Sequence, residues 1–210
     1  MPSLRKFPVK RLAAGTGTIG GFLFENRYAD IPRTLFHEIE IPLDPFLLED
    51  AQGKKRRTKT ALRLDFIELP DEPFRGYQAL VGRTFEFPAN PEPGHIDGSI
   101  YLFEVHNPID VAELAFVARR RGLFEVTITL AIDFESEETG YANTDALAAD
   151  VVLRPKAIRI DDEIVKKAKR RSPRDLLSGF VDAAILGDPV TEGGRVTVPL
   201  REPSKRRSRS

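Results

Sequence analysis

The sequence predicts a mainly β fold, either an antiparallel sandwich or an open barrel, followed by a C-terminal helical pair, so that the class is α+β. Three observations lead to this prediction. The run 123–135 alternates apolar and polar residues along its whole length, which is typical of a half-buried strand. Shorter runs rich in branched and aromatic residues precede and follow it. No helix-length amphipathic pattern interrupts residues 60–155, which argues against the βαβ alternation of a parallel sheet.

The first 60 residues predict short pieces of structure. Residues 35–41 alternate well enough for a strand, but Pro32, Pro42 and Pro45 divide the region, so we expect edge strands or turns. The string 15–20 matches the G-x-G-x-x-G pattern of dinucleotide-binding proteins. Because no amphipathic helix follows it, a flexible glycine turn is the favoured interpretation.

The middle of the chain predicts a series of consecutive strands, expected at 62–69, 79–87, 99–106, 109–117, 123–135 and 146–154. Connections between them are short, so we expect an up-and-down meander in which neighbours in sequence pair. His106-Asn107-Pro108 has the composition of a turn between two of these strands.

Two helices are predicted after the strands. Asp161 can cap the first, whose first turn is acidic and whose last turn is basic, the order that the helix dipole favours. The sequence Ser172-Pro173-Arg174-Asp175 marks the start of the second, and its apolar stripe continues to Gly187. Residues 190–198 then predict a small hairpin around Gly193-Gly194.

These elements predict one domain without repeats or linkers. Residues 1–60 are expected to supply edge strands and turns, and residues 61–155 the antiparallel core. Residues 156–202 are expected to form the helical pair and the small hairpin packed on that core. The basic segment 203–210 has no apolar residue and is expected to be a disordered tail.

Composition excludes several classes of function. The chain contains no cysteine, which removes disulfides, thiolate nucleophiles and cysteine metal sites. No stretch approaches the 18 apolar residues of a membrane span, and the first residues lack the apolar core of a secretory signal, so we expect a cytoplasmic protein. The 32 basic and 32 acidic residues balance, and net charge therefore names no partner.

Charge is nevertheless segregated along the chain. Four runs, at 54–59, 119–121, 166–171 and 205–209, hold more than half of the Lys and Arg residues and no acid. In a simple meander, the loops at 54–59 and 119–121 lie at the same end of the sheet, because an even number of reversals separates them. The opposite end would collect Asp71, Glu72 and the acids of 135–145. We therefore expect a molecule with a basic and an acidic pole.

The basic pole predicts a contact with an anionic partner, made by Lys54, Lys55, Arg56, Arg57, Lys59, Arg119, Arg120 and Arg121. The favoured partner is a protein with an acidic surface. Nucleic acid is the alternative partner, but it usually requires stacking aromatics beside the cations, and most of the fourteen phenylalanines fall on buried-looking strand positions. Basic turns can also serve only to keep strand edges solvated.

No cofactor or metal site is predicted. His37 lacks the second histidine of the helical zinc motif, and His95 and His106 would lie at opposite ends of one strand. The acidic loop 133–145 imitates the opening of a calcium loop, but Glu138 replaces its glycine and Thr144 its closing glutamate. The sequence leaves open whether this loop binds a divalent ion.

Catalysis has little support. Glu38 with Glu40, or Asp133 with Glu135, would share one strand face about 7 Å apart, a spacing that some glycosidases use. A carboxylate-based hydrolase is therefore a further hypothesis, although no nucleophile motif accompanies these pairs. The sequence favours a non-enzymatic intracellular binding or assembly module, and it leaves homo-oligomerisation open.

Overall fold

Antiparallel strand pairing organises the chain. A computed structural model describes residues 4–10, 15–50, 52–70, 73–168 and 170–201. Within this part of the chain, twelve strands are present: β1 Thr16–Asn26, β2 Ile31–Pro42, β3 Phe46–Glu49, β4 Lys55–Thr58, β5 Ala61–Ile67, β6 Arg83–Glu86, β7 Asp97–Leu102, β8 Val105–Arg120, β9 Leu123–Ile132, β10 Leu147–Ile160, β11 Val190–Glu192 and β12 Arg195–Val198. The helices are α1 Asp162–Lys167 and α2 Pro173–Leu177, with 3₁₀ turns at Arg27–Ala29, Tyr77–Leu80 and Ala183–Ile185.

Seven strands close into a barrel in the order β1-β2-β5-β7-β8-β9-β10, with β10 pairing back to β1. Strand β6 pairs with β8, strand β12 pairs with β10, and β11 follows at the edge; β3 and β4 form a separate two-stranded sheet. The prediction of a mainly antiparallel β fold with two C-terminal helices is confirmed. The barrel is closed, because every one of the seven strands has a neighbour on both sides.

The chain divides into two compact units, and unit 1 comprises the ranges 1–19, 37–69 and 80–155. Each barrel strand contributes buried apolar side chains to this unit, namely Ile19, Ile41, Leu62, Ile100, Leu114, Ile128 and Leu153, none more than 1% exposed. These residues alternate with more exposed ones along most strands, as in Leu123–Ile132, where the predicted alternation is confirmed.

Unit 2 comprises the ranges 20–36, 70–79 and 156–210, and it contains both helices. Asp161 caps α1 by accepting a hydrogen bond from the Glu163 amide. Ser172 and Asp175 form the capping box predicted for α2. The small hairpin around Gly193-Gly194 is also confirmed, as β11 and β12. Neither helix in the described residues has the length or the apolar stretch needed to cross a bilayer.

Helix α2 is much shorter than predicted, because it ends at Leu177 and does not continue to Gly187. The following backbone is used in another pairing. The Phe74 amide donates to the Phe180 carbonyl at 2.8 Å, and the Asp182 amide donates to the Phe74 carbonyl at 2.9 Å. These bonds replace the helical ones within unit 2 and redirect the apolar stripe that predicted a longer helix.

The strand order within unit 1 differs from the predicted meander. The chain reverses at Phe103 and Glu104, so the predicted turn at His106-Asn107-Pro108 is wrong and these residues belong to β8. The predicted strand 79–87 begins as a 3₁₀ turn, and its remaining part, β6, pairs with β8 outside the β5–β7 pair. Three strands of the barrel, β5, β7 and β8, and not four, therefore lead from residue 61 to residue 120.

This odd number of strands places the two basic loops at opposite ends of the barrel. Residues 54–59 precede β5 at the end where β7 and β8 are joined, whereas 119–121 lie where β8 is joined to β9. The 16 residues of β8 separate these ends by roughly 50 Å of strand, at about 3.3 Å per residue. The acidic loop 133–146 lies at the same end as 54–59, since β9 runs back to it. The predicted basic and acidic poles are therefore wrong.

Some predictions concern residues outside the described part of the chain. These are the disordered tail 203–210, the acidic pair Asp71 and Glu72, and Lys169 of the third basic run.

The glycine string 15–20 belongs mainly to strand β1, so the predicted flexible turn is wrong for most of its length. A glycine is required at position 17 because neighbouring atoms lie too close to leave room for a side chain. A Cβ atom there would lie 2.7 Å from the Glu40 carbonyl oxygen and 2.9 Å from both Ile41 Cγ1 and Leu153 Cδ2. The missing side chain allows β2 and the interior side chain of Leu153 to approach β1 within unit 1.

We expect Gly17→Ala to lower the free energy of unfolding by about 2 kcal/mol, because the added methyl overpacks this contact. Urea denaturation of the full chain measures the loss. Gly193→Ala is the matched control, since its Cβ would meet no atom within 4 Å and only its φ of 56° opposes alanine, at a cost of about 1 kcal/mol. A smaller loss for Gly17→Ala than for the control would contradict the close packing.

Candidate functional site

The candidate site is built on the β3–β4 hairpin of unit 1. Phe46 and Leu48 point into the unit and are 4% exposed, whereas Leu47 between them is 67% exposed. Strand β4 pairs with β3 in the register Phe46↔Thr58, Leu47↔Arg57, Leu48↔Arg56 and Glu49↔Lys55. The apolar residues of β3 thus anchor the hairpin, and β4 presents most of the basic run to solvent.

Asp50 fixes the turn of this hairpin. Its carboxylate is 5% exposed and accepts hydrogen bonds from the amides of Lys54 at 2.8 Å and Gln52 at 3.1 Å. It also accepts from Arg56 Nε at 2.9 Å. The Lys54 amide bond, aided by the charge of Arg56, holds the pKa of Asp50 below its usual value of 3.8 despite burial. The carboxylate therefore stays ionised and orders both the turn and Arg56.

Tyr141 completes the outer edge of β3. Its hydroxyl accepts a hydrogen bond from the Glu49 amide at 3.2 Å and donates one to the Glu49 carbonyl at 2.9 Å. Burial raises the pKa of Tyr141, so the phenol remains protonated and able to donate. Arg5 lies against the Tyr141 ring at 5.3 Å and forms an ion pair with Glu49 at 2.9 Å. These contacts hold the hairpin against loop 133–146.

A groove with a volume of about 580 Å³ lies on the other side of the hairpin. It is lined by residues 56–59 on one wall and by Tyr101, Phe103 and Glu104 of the β7–β8 turn on the other. Hereafter "the groove" means this space. It exists because the pairing of β5 with β7 ends at Leu62↔Ile100, while β7 continues to Leu102 and the chain before β5 leaves as β4.

Positive charge dominates the lining of the groove. Arg56 is held by Asp50, as described above. Among the described residues, Arg57 and Lys59 have no carboxylate within 4.0 Å, and Glu104 is the one acid in the lining. Two cations are therefore available to a ligand, and the described lining opposes them with one exposed carboxylate, that of Glu104.

Aromatic side chains lie beside these cations, contrary to expectation. Tyr101 is 45% exposed, and its ring contacts that of His106 edge to face at a centroid distance of 5.3 Å. Phe103 lines the groove at the tip of the turn. The sequence argument against nucleic acid was that most phenylalanines fall on buried-looking strand positions. Tyr101 and Phe103 are two aromatic residues that line the groove together with the basic run.

The β7–β8 turn is strained. Phe103 and Glu104 are the two central residues of the turn and both have positive φ, 54° and 71°, as a type I′ hairpin turn requires. Such turns normally carry Asn or Gly, since a bulky side chain in this region costs of order 1 kcal/mol. No turn residue marks this position in the sequence, which is why the turn was not predicted.

Thr58 is a polar residue of the groove without an internal partner. It is 8% exposed, and its Oγ1 has no hydrogen-bond partner among the described residues. A buried hydroxyl without a partner is unfavourable for the free protein.

The structure separates the eight predicted binding residues into three sets. Arg56, Arg57 and Lys59 line the groove. Lys54 and Lys55 belong to the same hairpin, but Lys55 contributes to a different surface with Arg5 and Leu47. The third set comprises Arg119, Arg120 and Arg121.

Arg119, Arg120 and Arg121 lie at the opposite end of unit 1, at the turn between β8 and β9. Arg119 stacks over the Phe124 ring at 5.7 Å, and Arg120 forms an ion pair with Glu125 at 3.0 Å. Arg121 occupies the turn itself with a φ of 52°. This triplet therefore does not extend the surface of the groove.

The acidic side chains proposed as catalytic pairs have other partners in the structure. Asp133 accepts amide hydrogen bonds from Glu135 and Ser136; burial alone would raise its pKa, but these bonds lower it. Glu40 of the predicted Glu38–Glu40 pair lies 4.0 Å from Arg63. Within the described residues, no group of three or more His, Asp or Glu side chains is arranged to hold a metal ion.

His37 and His106 occupy ordinary strand positions. His37 is 1% exposed in β2. His106 pairs with Tyr101 in the β7–β8 ladder.

Comparisons with protein-family models, with curated proteins and with solved structures give no match for this chain.

We expect Asp50→Asn to lower the melting temperature at neutral pH, because the ion pair with Arg56 is lost. A carboxyl with a lowered pKa stabilises the fold above its unfolded pKa of about 3.9, and this contribution disappears as pH falls through the lower folded value. The difference between wild type and variant should therefore narrow below about pH 3.9. Thermal unfolding across pH measures it. Asp44→Asn, at an exposed position, is the control and should leave the melting temperature unchanged.

We expect Thr58→Val to raise the free energy of unfolding by about 1 kcal/mol, because it removes a buried hydroxyl without a partner. Thr139→Val is the matched control. Thr139 is also buried, but its hydroxyl lies 3.3 Å from Asn107 Oδ1 and 3.2 Å from the Phe134 carbonyl oxygen, either of which accepts its single proton. Its loss should therefore destabilise by about 1 kcal/mol. Urea denaturation compares the two, and equal destabilisation would mean that Thr58 is satisfied in the folded chain.

Proposed function

We propose that the chain is a non-enzymatic binding or assembly module that holds an acidic protein partner in the groove. The observation that carries this proposal is the lining of the groove, in which Arg57 and Lys59 face a ligand-sized space without a carboxylate partner among the described residues. The proposal places this binding in the cytoplasm, whose reducing conditions suit a chain without cysteine.

Charge complementarity supports an anionic partner. The guanidinium of Arg57 can bind a carboxylate through two parallel hydrogen bonds, and the ammonium of Lys59 acts as a nearby point charge. Arg56 contributes less, because Asp50 already neutralises it. Rim cations of this kind accelerate association and select against basic partners more than they raise affinity.

The shape of the site supports a protein partner. The walls are a strand and a tight turn, which suit a narrow ligand with its own backbone donors and acceptors.

Single-stranded nucleic acid is the second candidate, favoured by one observation. Tyr101 is 45% exposed beside the cations, and an exposed aromatic ring next to basic residues is the usual platform for stacking a base. Binding of this kind would depend on Tyr101 and would weaken linearly with salt on a log–log scale.

We expect Arg57→Glu and Lys59→Glu each to weaken binding of a short fluorescent glutamate-rich peptide by about tenfold at low salt, equivalent to about 1.4 kcal/mol. The reason is that each change converts attraction into repulsion inside the groove. Fluorescence anisotropy with the full chain measures the affinity.

Arg121→Glu is the matched control, because it makes the same charge reversal on an exposed arginine at the other end of unit 1. Equal weakening by the control would show that net charge, and not the groove, attracts the peptide. Tighter binding of an oligothymidine probe than of the peptide, abolished by Tyr101→Ala, would support the second candidate and overturn the first.

A further inference from the structure

We infer that the groove takes its partner as an added β-strand, in which an extended acidic segment pairs with the free edge of β4 through the backbone of Arg57. This inference rests on the proposed function and specifies how the partner binds. Addition of a strand to an exposed sheet edge is a common way of recognising a peptide, with main-chain hydrogen bonds giving affinity and alternate side chains giving specificity.

The register of the hairpin determines which backbone groups face outward. The Asp50 amide donates to the Lys54 carbonyl, so these two residues form a hydrogen-bonded pair. In an antiparallel ladder such pairs alternate with non-hydrogen-bonded ones. Leu48↔Arg56 and Phe46↔Thr58 are therefore hydrogen-bonded across the hairpin, and Arg57 directs its N–H and C=O away from β3.

The contacts of Glu49 support this assignment independently. Glu49 lies opposite Lys55 in a pair of the same kind as Leu47↔Arg57. Its amide and carbonyl both point away from β4, where they bond the Tyr141 hydroxyl. The hydrogen-bond pattern deduced from the turn thus agrees with a side-chain contact on the opposite edge.

One edge of the hairpin has its outward backbone groups hydrogen-bonded by a side chain, and the other edge is open. On the β3 edge, Tyr141 satisfies the outward groups of Glu49. On the β4 edge, the described residues supply no second strand, since β4 pairs with β3 alone. This open edge forms one wall of the groove, so its donors and acceptors are accessible to a ligand there.

The side chains along this edge define the chemistry of the segment that fits. Residues on an added strand lie opposite β4 residues and on the same face as them. Arg57 belongs to β4 and Lys59 directly follows that strand. In an extended chain, residues two apart share one face, and the residue between them, here Thr58, has the opposite face. The matching segment therefore carries acids at alternate positions with a small polar residue between them, as in Glu-Thr-Glu.

The same charges argue against a second copy of this chain as the occupant. Pairing β4 with another β4 would bring arginine and lysine side chains opposite one another, and like charges in directly opposed positions are destabilising. An acidic segment from a different protein would instead place negatively charged side chains opposite the positively charged ones of β4.

Backbone methylation of a peptide tests the inference. The probe is a synthetic peptide with Glu-Thr-Glu at its centre, offered to the full chain in three forms. One is unmodified, one is N-methylated on both glutamate amides, and the control is N-methylated on the threonine amide. In an antiparallel added strand, the glutamates opposite Arg57 and Lys59 form hydrogen-bonded pairs with them, and the threonine amide points away. Methylating both glutamate amides should therefore weaken binding by about tenfold or more, whereas the control should bind within about twofold of the unmodified peptide.

Different failures have different meanings. Equal binding of all three peptides would overturn strand addition while leaving the groove as a charge-based site. No binding of the unmodified peptide, or equal weakening by Arg57→Glu and Arg121→Glu, would overturn the proposed function itself. Hydrogen exchange by NMR gives a second measurement, since the Arg57 amide should become protected when the unmodified peptide saturates the protein and should stay unprotected if strand addition is wrong.

Discussion

The pairing of strand β8 with β6, β7 and β9 is the constraint on which the rest of unit 1 depends. This strand runs for 16 residues, and its two register shifts, between Val111 and Glu113 and between Phe116 and Ala118, keep apolar side chains such as Leu114 and Phe116 inside. Bulges of this kind bend a strand and allow it to follow a closed sheet. Its length also decides which loops share an end of the barrel, and hence where the charged side chains of the neighbouring loops are placed.

Local patterns in the sequence predicted most elements. The alternation in 123–135, the capping box at Ser172 and the Gly193-Gly194 hairpin each have a physical basis within a few residues of the chain, and each is present. The turn at Phe103 and Glu104 could not be predicted in this way, because it carries no glycine or asparagine, while Asn107-Pro108 a few residues later has turn composition but pairs in β8. The end at which a loop emerges changed for a different reason: β5 pairs directly with β7, and β6 pairs with β8 outside the barrel order.

The candidate site was predictable only in part for the same reason. Arg56, Arg57 and Lys59 stood out as a basic run, and they remain together because they are neighbours in sequence. The predicted grouping of these residues with Arg119–Arg121 depended on the long-range order of the strands, and this prediction was wrong. Tyr101 and Phe103 join the groove through pairing across β5 and β7, which no local pattern encodes. The sequence also could not reveal that Asp50 forms an ion pair with Arg56 and that Glu125 forms one with Arg120.

The contacts that hold the hairpin come from distant parts of the chain. Arg5 precedes the hairpin by more than forty residues, and Tyr141 follows Glu49 by 92. During synthesis on the ribosome, β3 and β4 can pair with each other as soon as they emerge, but their outer edge stays uncovered until residue 141 has left the exit tunnel. The newly made chain therefore passes through a period in which both edges of the hairpin are open, and a chaperone that binds extended segments would find its target there.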